Sequence, residues 1–148
     1  MSNRKSTFEE ELRRSGKLVY TNVGCSMLPL LRQGKDLMVI SPRPAERLKR
    51  YDAVLYKRGD KYILHRILKV RKNDYVICGD HNWRREYGIT DSQIIGILSS
   101  FVRDGKEISV TDRQYLLYVH LWCDFFYIRA AVLWCTAVLR RLKRKLGA

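Results

Sequence analysis

The sequence has no Cys-x-x-Cys pair and no histidine at metal-ligand spacing, although it holds four cysteines, Cys25, Cys78, Cys123 and Cys135. That argues against a zinc site or a dithiol redox motif and leaves the cysteines as free thiols. Acidic side chains are scarce: 15 Asp and Glu stand against 29 Lys and Arg, for a formal net charge of +14. Such an excess suits an anionic membrane face or nucleic acid, because both attract Lys and Arg through the same long-range field. No nucleic-acid-binding motif or basic-aromatic strand platform accompanies the charge, so nucleic acid is not the expected partner. The opening residues 1–14 contain no apolar stretch of signal-peptide type, and no repeat or low-complexity tract interrupts the chain.

The apolar fraction of 46% is sufficient for a packed core, and 148 residues accommodate one domain with an appendage, hence one active site. Thr7-Phe8-Glu9-Glu10 has the form of a capping box and Gly16 that of a helix stop, which predicts a short N-terminal helix. From Lys17 to Val110 the pattern changes to short β-like runs at 18–23, 37–40, 53–57, 62–70, 75–78, 94–102 and 107–110. Arg58-Gly59-Asp60 and Asp104-Gly105 supply hairpin turns, and Ser41-Pro42-Arg43-Pro44 predicts an exposed loop. The expected fold class is therefore mainly β over residues 1–110. A second capping box, Thr111-x-x-Gln114, leads into a helical tail over 111–148.

Gly24-Cys25-Ser26-Met27-Leu28-Pro29 follows a β-like run and ends in a proline-constrained turn, a setting that places a serine hydroxyl beside backbone N–H groups. Further boxes follow in order: Tyr51-Asp52-Ala53-Val54-Leu55, Leu64-His65-Arg66-Ile67, Gly79-Asp80-His81-Asn82 and Gln93-Ile94-Ile95-Gly96. Together, over residues 23–102, they resemble signal peptidase I and the self-cleaving LexA-type repressors. The resemblance implies a signal peptidase/LexA-like β-rich catalytic domain with Ser26 as nucleophile. It implies a precursor protein or peptide as substrate, cut after a small residue. Tyr51 stands where the family usually has glycine, His81 replaces an asparagine, and the N-terminal anchor of the family is not seen.

A serine hydroxyl needs a general base near neutral pH. Bacterial signal peptidases carry lysine where this chain has His65, so the resemblance is closest to the archaeal and endoplasmic-reticulum type, which uses Ser and His. Strand alternation places His65 on one face with Ile63 and Ile67, an environment expected to reduce its hydration without burying it. Asp80, Glu86 and Asp91 are the candidates for a third group that steadies the imidazolium, with Asp80 ranked first and Glu86 next. Asp91 is alternatively a cap for the segment leading to Gln93. His81 is read as a polar loop residue and His120 as a helix residue. No metal or organic cofactor is expected.

Residues 116–139 are long enough to cross a bilayer but are interrupted by His120, Asp124 and Arg129. A helix lying in the membrane interface, or two short helices, accommodates those polar groups better than a single span. The basic stretch at 140–145 adds attraction to an anionic leaflet, so the chain is expected to be membrane-associated at the cell membrane. Two rival readings are a LexA-like autoprotease, weakened by the absence of a DNA-binding segment before Ser26, and a non-catalytic basic protein.

Overall fold

The computed structural model describes residues 7–146; the extreme ends of the two expected segments, 1–110 and 111–148, lie outside the described residues. The first helix, α1 (Phe8–Ser15), forms where the capping box predicts it. The Thr7 side chain accepts from the Glu10 N–H, the Glu10 side chain returns the bond, and Gly16 ends the helix at φ 69°. Eight strands follow: β1 (Leu18–Thr21), β2 (Leu37–Pro42), β3 (Ala53–Arg58), β4 (Lys61–Val70), β5 (Tyr75–Cys78), β6 (Glu86–Ile89), β7 (Ile94–Arg103) and β8 (Lys106–Ser109). They pair antiparallel in the order β1-β2-β7-β3-β4-β5-β6, with β8 also on β7. Two helices, α2 (Arg113–Asp124) and α3 (Phe126–Lys145), complete the chain.

Period-2 alternation divides the sheet residues between two apolar clusters. Leu64 packs with Ile40, Leu55, Leu98 and Phe101, while Ile67 packs with Val54, Tyr56, Tyr75 and Ile77. The Asp104-Gly105 turn places both residues at positive φ, the geometry that matches strand twist in a two-residue hairpin. Strand β6 has no counterpart among the sequence-derived runs. Neither does the continuation of β2 through Ser41 and Pro42, where a loop was expected. Pro42 is tolerated because β1 ends its pairing at Ile40, so β2 is beyond that point an edge with one neighbour.

The tail is not a separate appendage. Tyr115, Val119 and Cys123 of α2 are buried in the first cluster, so the helix belongs to the β-rich body. Its N-cap is Asp112 and not the expected Thr111, because the Asp112 carboxylate is held by the Ser109 N–H as the chain leaves β8. The chain then bends by 76° between α2 and α3. From residue 131 onward none of the described α3 side chains is buried. No single helix is long and apolar enough to cross a membrane; only the bent α2–α3 pair passes on length and composition.

Candidate active site

Ser26 lies in the loop between β1 and β2, and the loop is fixed at several points. Met27, Leu30 and Leu31 are buried in the first cluster. Asn22 donates through its amide to the carbonyls of Gly24 and Leu31, and Gly34 N–H donates to Asn22 O. The buried Asp36 carboxylate binds the guanidinium groups of Arg32 and Arg103, and Arg103 also donates to Leu30 O at 2.5 Å. Burial alone would raise the Asp36 pKa, but the hydrogen bonds from Arg103 and Arg32 bring it down to about 2. Ser26 is therefore held half-exposed on an anchored loop, with its carbonyl accepting from His81 N–H at 2.8 Å. The Leu28–Pro29 peptide bond is cis.

His65 comes from the middle of β4. Its side chain is buried rather than merely sheltered, with a residue exposure of 5%. Nδ1 lies 2.9 Å from Glu86 Oε1 and 3.3 Å from the Tyr56 hydroxyl. Tyr56 donates its only proton to the same Glu86 oxygen, at 2.9 Å. Both neighbours of Nδ1 can thus only accept, which places the imidazole proton on Nδ1 and the lone pair on Nε2. Arg58 donates to the other Glu86 oxygen at 2.6 Å and orients the carboxylate.

Nε2 faces Gly79. A Cβ on that glycine would lie 2.6 Å from the Ser26 carbonyl oxygen and 3.0 Å from His65 Nε2, so the Ser26 loop and the imidazole close on the same point. Glycine is needed here for space, not for an unusual φ. The Ser26 hydroxyl makes no hydrogen bond to any described residue, and the N–H groups of Ser26 and Met27 donate to no described acceptor. The charge state of His65 follows from its surroundings. Burial pushes its pKa below the ordinary value of 6.5, and the pull of Glu86 offsets only part of that. The imidazole is neutral near pH 7, the form that accepts a proton. The same burial, reinforced by Glu86, pushes the Tyr56 hydroxyl well up, so it remains a donor.

Asp80 occupies a different place from the one its rank implied. It forms a bidentate pair with Arg66, with both distances 2.8 Å and both side chains fully buried. Tyr118 donates to the same carboxylate and Trp122 donates to the Asp80 carbonyl, while Tyr115 accepts from Arg66. Asp80 is thus the anchor for α2, and Glu86 is the carboxylate on His65. The reason is alternation: His65 and Arg66 are adjacent on β4 and point to opposite faces. Asp91 is elsewhere again, at the start of the short 3-10 turn, bound by Arg43, Arg47 and the Tyr75 hydroxyl. His81 contributes its backbone N–H to the site, and His120 pairs with Asp124 on the exposed side of α2.

Sequence reasoning missed Tyr56, Arg58 and Gly79. Tyr56 was within reach: a two-residue turn at Gly59-Asp60 fixes the β3–β4 register, which sets Val54 opposite His65 and Tyr56 on its diagonal. Beside Ser26 runs a groove of about 420 Å³, lined on one side by Tyr20, Val23 and Gly24 and on the other by residues 61–64. Among the described residues both flanks are unpaired strand edges, since β1 pairs there only with β2 and β4 meets β5 only from Arg66 onward. Comparison with family models, with curated proteins and with solved structures returned no match.

Proposed function

We propose that the chain is a serine endopeptidase of the signal peptidase I type, with a signal peptidase/LexA-like catalytic body. The observation that carries this reading is the polarity of His65: Nδ1 is held between two acceptors, and Nε2 faces the Ser26 loop across Gly79. As an extended peptide enters the groove, its backbone adds to the free edges of β1 and β4. Ser26 Oγ attacks the scissile carbonyl carbon while its proton passes to His65 Nε2. Glu86 stabilises the imidazolium that forms. The N–H groups of Ser26 and Met27 receive the developing oxyanion. Collapse breaks the C–N bond, and Nε2 returns the proton to the leaving amine. Water, activated by the same nitrogen, then releases the acyl group from Ser26.

The box order from Ser26 to Gly96 supports precursor proteins or peptides with a small residue before the cut. The exposed apolar residues of α3, among them Val132, Trp134 and Leu139, and its basic end support action at an anionic membrane surface. The test is incubation of purified protein with a mixed library of extended peptides, read by mass spectrometry. Cleavage after small residues by wild type and none by Ser26→Ala, with both proteins equally folded, is the expected result. Cleavage retained by Ser26→Ala, or none by either protein, contradicts the reading.

A further inference from the structure

A second cavity, of about 660 Å³, opens where β4 and β5 meet the elbow between α2 and α3. Its wall carries four cations, Arg50, Lys69, Arg71 and Arg85, and no carboxylate. Two of the four are neutralised from outside the wall: Arg71 pairs with Asp74, and Arg50 lies 3.6 Å from Asp124. Lys69 and Arg85 make no ion pair with any described residue. Arg85 is held by aromatic rings instead, its guanidinium carbon 4.2 Å from the Phe126 centroid and 5.1 Å from that of Tyr127. It makes no hydrogen bond to a described residue, and its Nε is buried without a partner.

With no carboxylate in the wall and two cations left without an ion-pair partner, the cavity is electropositive, and a planar guanidinium fork matches the oxygens of a phosphate group. We propose that this cavity is an anion site for a phosphate-bearing group, supplied by the headgroup of an acidic phospholipid. The α2–α3 elbow, which supplies Cys123 and Phe126 to the cavity wall, favours a lipid source. Phe125, Tyr127 and Ile128 at the elbow are 55%, 76% and 65% exposed, large apolar side chains of the kind that settle at a membrane interface. The headgroup would sit in the cavity while these side chains enter the acyl boundary. The proposal does not depend on peptidase activity.

The test uses the full chain in two measurements. Thermal unfolding is followed with inorganic phosphate against sodium chloride at matched ionic strength. Sedimentation is followed with vesicles of phosphatidylcholine and with vesicles that also contain phosphatidylglycerol. Lys69→Gln/Arg85→Gln is compared with Arg140→Gln/Arg141→Gln, which removes the same charge outside the cavity. Phosphate should raise the unfolding temperature of wild type and of the Arg140/Arg141 variant but not of the cavity variant. Affinity for the acidic vesicles should fall on the order of tenfold further in the cavity variant than in the other. A phosphate response lost in the cavity variant, with equal vesicle binding by the two variants, overturns the lipid source in favour of a soluble phosphate compound. No phosphate response in wild type, or the same response in the cavity variant, overturns the site.

Discussion

His65 and Arg66 are neighbours on one strand, each paired with a carboxylate, yet the two pairs are built for opposite purposes. Arg66 and Asp80 are sealed on every side, and Tyr115, Tyr118 and Trp122 of α2 complete their hydrogen bonds. His65 and Glu86 are only partly closed, since Glu86 reaches the surface and Nε2 faces the Ser26 loop. A saturated pair fixes one packing arrangement, whereas a pair with one unsatisfied nitrogen can take part in chemistry. The pairs differ in charge and in burial, but it is the nitrogen left unbonded that separates what they can do.

Substitutions on the two pairs should therefore divide between stability and rate. The largest change in stability is expected from Arg66→Met, which strands the buried Asp80 carboxylate and should cost about 3–5 kcal/mol in urea unfolding. Retention of near-normal stability would show that α2 docks without this pair. On the other pair, Glu86→Gln presents an amide N–H to Nδ1 and stabilises the wrong tautomer. Single-turnover cleavage should slow by about a hundredfold or more while stability changes by much less. A variant that loses stability but keeps its rate would move Glu86 to the structural class.

Gly79→Ala lies between the classes. The new methyl group meets the Ser26 carbonyl, which is backbone and cannot rotate away, so both a rate loss and about 1–3 kcal/mol of destabilisation are expected. The smallest effect concerns pH. Because the folded-state pKa of His65 lies below its unfolded value, its contribution to stability is complete above about 6.5 and is lost as pH falls through the folded value. Urea unfolding between pH 8 and pH 5 should show wild type losing more stability than His65→Gln. Parallel curves would mean that His65 is not held neutral by the fold.

How far the sequence anticipates this division depends on the range of each signal. Capping at Thr7, the turn at Asp104-Gly105 and most strands are local features, readable from a few residues. The apolar neighbourhood of His65 was also visible in the alternation of β4. The identity of its carboxylate was not: Asp80 and Glu86 differ only in how the chain turns after Cys78 and in what α2 brings to the far face. That far face is made by tyrosines and a tryptophan about 40 positions away, which read in the sequence as part of a membrane tail. Tyr51 is instructive in the same way. It stands where glycine was expected and takes φ 80°, the left-handed conformation that glycine adopts most easily.

The central claim is that His65, neutral and oriented by Glu86, takes the proton from Ser26. Single-turnover cleavage of a library-derived peptide, measured against pH for wild type, His65→Ala and Lys61→Ala, tests it most directly. The wild-type rate should rise through one ionisation below 6.5, because burial lowers the imidazole pKa. His65→Ala should lose on the order of a hundredfold to ten-thousandfold, and Lys61→Ala should keep the wild-type profile. Near-normal cleavage by His65→Ala, with loss in Lys61→Ala, would contradict the Ser26–His65 assignment and place the base on a lysine.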